Sequence, residues 1–362
     1  MNSYKLEPLE INLNAPNGNY EVTVNIKAHS DTVFSVYSQN RYFHTIDRHI
    51  SAGEEAELKF IVNVCDYHFY DCDYCAVPGI KISIACDGDL TATAAAQPVE
   101  VPTVYICGDS TVTNQPAEYP YHPESTYCGW GQALPMLIKG GLAVSNHAQS
   151  GSCTSEFMSS NLTAFQDKIK QGDYMVIEFG HNDQKHAELD AYGGYKSNIF
   201  KLAAIAREKG ASVIVCSPIN RIIFEPDGTL RNLLGDYRNA AMSAAKELDA
   251  DFIDQWKRTT DYFETAGPVK SWQFFRCLGN ERDYTHTNDK GGIMIAKFFA
   301  QEMIAANGAL AEYIDPERLN VEQIYADPGD VCENNDALEH SKTIGLVNVP
   351  EDFDADITGL QK

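Results

Sequence analysis

Positive charge is what this sequence has least of. Its 362 residues carry 28 Lys and Arg against 51 Asp and Glu, a formal charge of -23, with a pI near 4.7. Such a field repels phosphate backbones and anionic bilayers, so nucleic acid is not expected as a partner. It also leans towards a neutral rather than a densely anionic polysaccharide, although screening over about 8 Å lets a local site override the global charge. No apolar run approaches the ~20 residues that span a bilayer. The richest, 293–310, is interrupted by Lys297 and Glu302, and no membrane partner is expected. The N-terminus, MNSYKLEPLEINLN, lacks a basic region followed by an apolar stretch. Cytoplasmic residence is the resulting expectation, with secretion the alternative if a leader has been trimmed. Internal repeats and low-complexity blocks are absent too.

Cysteine is not scarce, but its placement argues against bridges. Of ten, Cys107 sits in VYIC and Cys216 in VIVCS, runs that read as buried strands, so reduced thiols are expected. Cys65, Cys72, Cys75 and Cys86 form C-x6-C-x2-C-x10-C, whose central pair has a metal-like separation. Their β-type surroundings favour small apolar fillers instead, and neither metal nor cofactor is expected.

From residue 5 to about 98 hydrophobicity alternates in twos. Val22, Val24 and Ile26 oppose Glu21, Thr23, Asn25 and Lys27; Leu58, Phe60, Val62 and Val64 repeat the pattern, as do Ile80, Ile82 and Ile84. That period describes strands with one buried face, and Pro16-Asn17-Gly18 and Asp87-Gly88-Asp89 supply turns. Six or so short strands without a helix predict an all-β sandwich over residues 1–100. Beyond TATAAAQPVEVP the pattern changes. Strands are predicted at 104–107, 142–147, 174–179, 211–216 and 251–253, and helices at 131–139, 157–170, 197–209, 230–248 and 290–307. Alternation of this kind predicts an α/β domain, a parallel sheet covered on both faces, over 101–328. An acidic irregular segment, 329–362, follows it.

The first strand of that domain runs into Gly108-Asp109-Ser110-Thr111. A serine at the carboxyl end of a parallel strand stands where such sheets place their ligands, but it becomes a nucleophile only when a base takes its proton. Asp283-Tyr284-Thr285-His286 can supply, from one loop, both that base and the carboxylate that fixes its tautomer. Two further strand ends offer donors for an oxyanion. Asn182, in G-H-N-D, has a side-chain amide, and Gly151, in Q-S-G-S, lets a backbone N–H come close to substrate. Asp109 is expected to hold the nucleophile turn by accepting backbone N–H bonds, with substrate binding the alternative. Trp130 either packs in the core or presents a sugar-stacking face, and His181 and Asp183 either touch substrate or hold the loop of Asn182. Asp289 reads as a first-turn helix charge. The G-H-N-D wording differs in order from the G-N-H-[DE] of dinuclear metallophosphatases, and metal-dependent hydrolysis is not expected.

Taken together, Ser110, Gly151, Asn182 and His286, in that chain order, resemble the four blocks of the SGNH (GDSL-type) hydrolase superfamily over roughly residues 102–307. The resemblance implies a flavodoxin-like three-layer α/β/α domain. It further implies a triad of Ser110, His286 and Asp283, and an oxyanion hole made by the Ser110 and Gly151 N–H groups and the Asn182 amide. The wordings G-D-S-T-V, G-W-G-Q-A-L at 129–134, F-G-H-N-D-Q-K at 179–185 and D-Y-T-H-T-N at 283–288 are similar to the rhamnogalacturonan acetylesterase branch. That branch implies an acetylated plant cell-wall carbohydrate, of rhamnogalacturonan or xylan type, as substrate. One departure stands out: the branch carries arginines around a G-R-S core in its second block, where this chain has G-S-C-T-S-E-F at 151–157. The nucleophile block usually opens such a domain, so its position here means that a unit has been added ahead, either a carbohydrate-binding module or a packing partner of the cleft. Two rivals stay open: another ester hydrolase of the same fold, such as a lipase or thioesterase, and a sugar-binding protein with an inactive hydrolase site.

Overall fold

The computed structural model describes residues 1–4, 6–65, 79–279, 281–330 and 346–348. Seven strands come first: β1 (Leu9–Leu13), β2 (Gly18–Ala28), β3 (Thr32–Ser38), β4 (Tyr42–Ile50), β5 (Glu55–Val64), β6 (Ile80–Cys86) and β7 (Leu90–Pro98). They form two antiparallel sheets, ordered β1-β6-β3-β4 and β5-β2-β7. The period of two explains why the sheets stack. Val22, Val24 and Ile26 of β2 are buried and meet Phe34, Val36, Ile82 and Ile84 of the other sheet in one core,.

Five parallel strands follow, β8 (Thr103–Gly108), β9 (Ala143–Asn146), β10 (Tyr174–Glu178), β11 (Ser212–Cys216) and β12 (Asp251–Ile253), in the order β9-β8-β10-β11-β12. With them come α1 (Trp130–Ala133), α2 (Thr154–Ser159), α3 (Lys196–Glu208), α4 (Gly235–Leu248), α5 (Gln255–Lys270) and α6 (Asp289–Ala305), and a short antiparallel pair, β13 (Phe275–Leu278) and β14 (Glu281–Thr287). Successive strand residues face opposite layers. Val104, Ile106, Val176 and Ile214 share a core with α1, α5 and α6, while Tyr105, Cys107, Ile177 and Val215 share one with α2, α3 and α4. This is the three-layer α/β/α arrangement, and its strand order is flavodoxin-like. The chain passes from β8 to β9 on one side and then from β9 across to β10 on the other, so a crevice opens at the carboxyl ends of β8 and β10,. At the outer edge of the sheet, the Asn146 N–H of β9 donates to the Tyr42 hydroxyl of β4 at 2.6 Å.

Several predicted elements differ from those observed. The helix expected over 157–170 is only α2 and a 3-10 turn, Asn161–Ala164. Ser159 and Ser160 hydroxyls both donate back to the Glu156 carbonyl, at 2.9 and 2.7 Å, and Ser160 leaves helical geometry, as short polar side chains do when they compete with the backbone. Pro135 converts the second half of the helix expected at 131–139 into a 3-10 turn, Leu134–Leu137,. The helix expected from 230 begins at Gly235, because Leu230 pairs instead with Phe224 in a β-bridge. Unforeseen were α5, whose Thr and aromatic content and Gly267-Pro268 kink blur its period, and the β13–β14 pair. Cys72, Cys75 and most of the acidic segment 329–362 lie outside the described residues. Cys65 and Cys86 have separate surroundings: the first lies 3.8 Å from His147 Nε2, the second donates to the Gly88 carbonyl.

Candidate active site

Strand β8 ends in a tight turn that lifts Ser110 to the sheet's rim. The Val112 and Thr113 N–H groups both donate to the Asp109 carbonyl at 3.1 Å. Asp109 Oδ1 accepts from the Thr111 N–H at 3.0 Å and the Thr111 hydroxyl at 2.8 Å. That is the loop-holding role expected of Asp109. A side chain at Gly108 would meet Val112 at 2.8 Å and the Glu178 carbonyl at 3.0 Å, so the strand-to-turn junction needs glycine.

Ser110 Oγ lies 2.8 Å from His286 Nε2, and His286 Nδ1 lies 2.9 Å from Asp283 Oδ2. Asp283 and His286 sit on β14, not on a loop as expected. Residues three apart on a regular strand would face opposite ways. Here Asp283 Oδ1 accepts the Thr285 and His286 N–H groups, both at 2.9 Å, and the resulting bend returns the ring to its carboxylate. Burial pulls the Asp283 pKa up, but the hydrogen bonds and charge of His286 outweigh it and hold the carboxyl well below its usual range,. Tyr127, absent from the sequence reading, completes this edge. Its ring stands edge-on to His286 with centroids 5.7 Å apart, and its hydroxyl donates to Asp283 Oδ2 at 3.4 Å.

The second and third blocks meet beside the serine turn. The Gln149 N–H donates to the Gly108 carbonyl at 3.0 Å, joining the Gly151 loop to β8. Gly151 has a φ of +80° and open space where a side chain would stand. Asn182 donates one amide hydrogen to the Ser152 carbonyl at 3.1 Å and accepts from Lys185 Nζ at 2.8 Å. One amide hydrogen remains for a ligand.

Other expected residues are less accessible. Trp130 is fully buried, donates to Glu178 Oε2 at 3.1 Å and stacks on Phe299, so it presents no face to a sugar. His181 is buried, and neither ring nitrogen has a hydrogen-bond partner of normal geometry among the described residues. Burial first, then the charges of Arg221, His286 and Lys185, push its pKa well down, which keeps the ring neutral. Arg221 was also missed, although it follows the carboxyl end of β11 on the rim that holds the other groups. It is buried, donates to Thr285 Oγ1 at 2.6 Å and to the His181 carbonyl at 3.4 Å, and burial pushes its pKa down to about 10.

Asp183 holds α2 by accepting from the Thr154 N–H at 3.0 Å and the Thr154 hydroxyl at 2.5 Å. Burial raises its pKa from 3.8 to about 7, against the pull of those donors. A carboxyl whose pKa is higher folded than unfolded takes up a proton on folding, so its contribution to stability declines as pH rises from 3.8 to about 7,. Asp183→Asn is expected to reduce that decline. Denaturant unfolding at about pH 5 and about pH 8 checks it, and identical losses in variant and parent would count against the assignment.

Asp289 is the first-turn charge of α6, as expected, but it does not face solvent. It is fully buried, ion-paired with Arg41 and hydrogen-bonded by the Tyr121 hydroxyl. Arg41 comes from the turn between β3 and β4, with a φ of 61°. Its Nη1 also donates to the carbonyls of Gln115 and Tyr127, at 3.1 and 3.2 Å. Burial opposes its charge, but Asp289 holds the guanidinium pKa above its ordinary value.

For a metal, Cys153, Glu156 and His186 bring ligand atoms within 4.8 Å of one another near Gly151. Burial raises the Cys153 thiol pKa, which opposes the thiolate a metal needs, and Glu156 already accepts the Cys153 N–H at 3.3 Å,.

Residues 106–291 match the GDSL-like lipase/acylhydrolase family. A rhamnogalacturonan acetylesterase of Bacillus subtilis, RhgT, is 36% identical over 208 residues, covering 55% of this chain and 88% of that protein. A rhamnogalacturonan acetylesterase of Emericella nidulans is 27% identical over 236 residues, 59% of this chain and 89% of that one. The crystal structure of YxiM from Bacillus subtilis superposes with a TM-score of 0.52 at 27% identity, covering 82% of this chain and 80% of that one.

Proposed function

The chain belongs to the GDSL-like lipase/acylhydrolase family and is an esterase, and on that premise we propose that it removes acetyl groups from plant cell-wall polysaccharide or oligosaccharide, of rhamnogalacturonan or xylan type, through an acyl-enzyme on Ser110. The relay from Ser110 Oγ to His286 at 2.8 Å and on to Asp283 at 2.9 Å carries this reading. His286 takes the Ser110 proton as the oxygen attacks the ester carbonyl, and the tetrahedral oxyanion is held by the Ser110 and Gly151 N–H groups and the free amide hydrogen of Asn182. The carbonyl re-forms, the sugar oxygen leaves and takes the proton from His286, and acetyl stays on Ser110. Water then attacks with His286 again as base, and acetate leaves as the proton returns to Ser110. The substrate class is supported by the named activities of the two acetylesterase relatives.

Acetate release from a panel of acetylated rhamnogalacturonan, xylan and mannan fragments tests the substrate. Turnover of the first or second is expected, and a preference for butyrate or longer acyl esters over acetate would replace this reading with a lipase-like one. Asn182→Ala is expected to lower kcat by about 10²–10³-fold with little change in KM, because the donor acts on charge that develops only in the transition state. A KM effect with unchanged kcat would instead make Asn182 a binding residue.

A further inference from the structure

In a chain with 51 acidic and 28 basic residues, a random stretch of surface shows more carboxylates than cations. One groove inverts that balance. It lies between β4 and β5 on one side and the segment joining α1 to β9 on the other, and holds about 350 Å³. Arg48, Lys59, Lys139, Lys297 and Arg318 line it, each from a different segment, and among the described residues no Asp or Glu does. Two of these cations are partly neutralised, Lys59 by Glu57 at 3.1 Å and Arg318 by Asp315 at 2.9 Å. Among the described residues, Arg48, Lys139 and Lys297 have no carboxylate within ion-pair distance. Lys297 is half-buried with its ammonium on the Asn320 carbonyl at 2.8 Å, and burial pushes its pKa down with no carboxylate to offset it. A cation in that position gains from an incoming anion.

The rest of the lining suits an organic anion better than a small inorganic one. Ile138 and Leu142 are apolar, and the Phe60 ring stacks on His44 with centroids 3.6 Å apart. Burial lowers the His44 pKa to about 3, so the ring is neutral. None of Ser110, Gly151, Asn182, Asp283 and His286 lines the groove. We propose that it binds a carboxylate-bearing oligosaccharide, a run of uronic acid residues in the same polymer whose acetyl groups are removed at Ser110. The choice of a sugar rests on the esterase reading above; the choice of an anion rests on the groove alone. The global charge, which leans towards neutral sugars, is here reversed within a Debye length.

Calorimetric titration of the full chain with an unacetylated oligogalacturonide tests this, beside an Arg48→Glu/Lys139→Glu variant whose exposed substitutions leave the core intact. Binding to the parent is expected, weakened at least about tenfold in the variant and reduced by salt, with no binding of a neutral xylo-oligosaccharide. Hydrolysis of a small aryl acetate is expected to be the same in both proteins. Absence of binding, equal binding by the variant, equal binding of the neutral chain, or displacement by inorganic phosphate at matched concentration would each overturn the proposal. Failure of the esterase reading shows separately, as inactivity of both proteins on every acetyl ester whatever the titration gives.

Discussion

Ser110→Ala is expected to lower kcat for an acetyl ester by about 10⁴–10⁶-fold while KM stays near that of the parent. The hydroxyl stands 2.8 Å from His286 Nε2 and is the atom that would carry the acyl group in the proposed mechanism,. Residues of such a relay act as a unit, so adding His286→Ala to Ser110→Ala should cost almost nothing further. Asp283→Asn leaves a side chain of the same shape but favours the wrong imidazole tautomer, and a loss of about 10⁴-fold is expected from it alone. Steady-state acetate release, with unfolding midpoints recorded beside it, measures all three. A Ser110→Ala protein as active as its parent would move the chemistry elsewhere or make the domain a sugar-binding relic.

Arg41→Met is expected to remove about 3–5 kcal/mol of stability, the scale on which one member of a buried ion pair is missed. The loss has identifiable parts. Asp289 would lose its counter-charge in a fully buried position, and the Gln115 and Tyr127 carbonyls would lose their donor,. Urea unfolding measures it, and Asp289→Asn in the same chain should recover a good part, giving a coupling energy from the double-mutant cycle. A change within about 0.5 kcal/mol of zero would mean that the pair does not form in solution.

Much of the site was legible because its parts fall at strand ends. Ser110 follows β8, His147 to Gly151 follow β9, and Asn182 follows β10, and strands buried on both faces announce themselves as apolar runs. Local hydrogen bonding was legible for the same reason: Asp109 and Asp283 bond to groups within three residues. Contacts across long separations were not. Arg41 and Asp289 are 248 residues apart, and nothing in either neighbourhood points to the other. Tyr127 and Arg221 reach their partners through the tertiary fold rather than through any periodicity. Where one pattern admitted two environments, as for Trp130, burial decided it. Helix α2 was overestimated because apolar spacing continues past Ser160, while the serine hydroxyls end the helix.

The covered rim of β9 has a consequence for anyone who trims this chain. Tyr42 occupies the outward N–H of Asn146, so the first seven strands shield the open side of the parallel sheet. A fragment beginning at β8 would present a naked strand flank, a template on which another polypeptide can add. Such a fragment would self-associate, and its behaviour in solution would then report on clumping rather than on the chemistry of the serine.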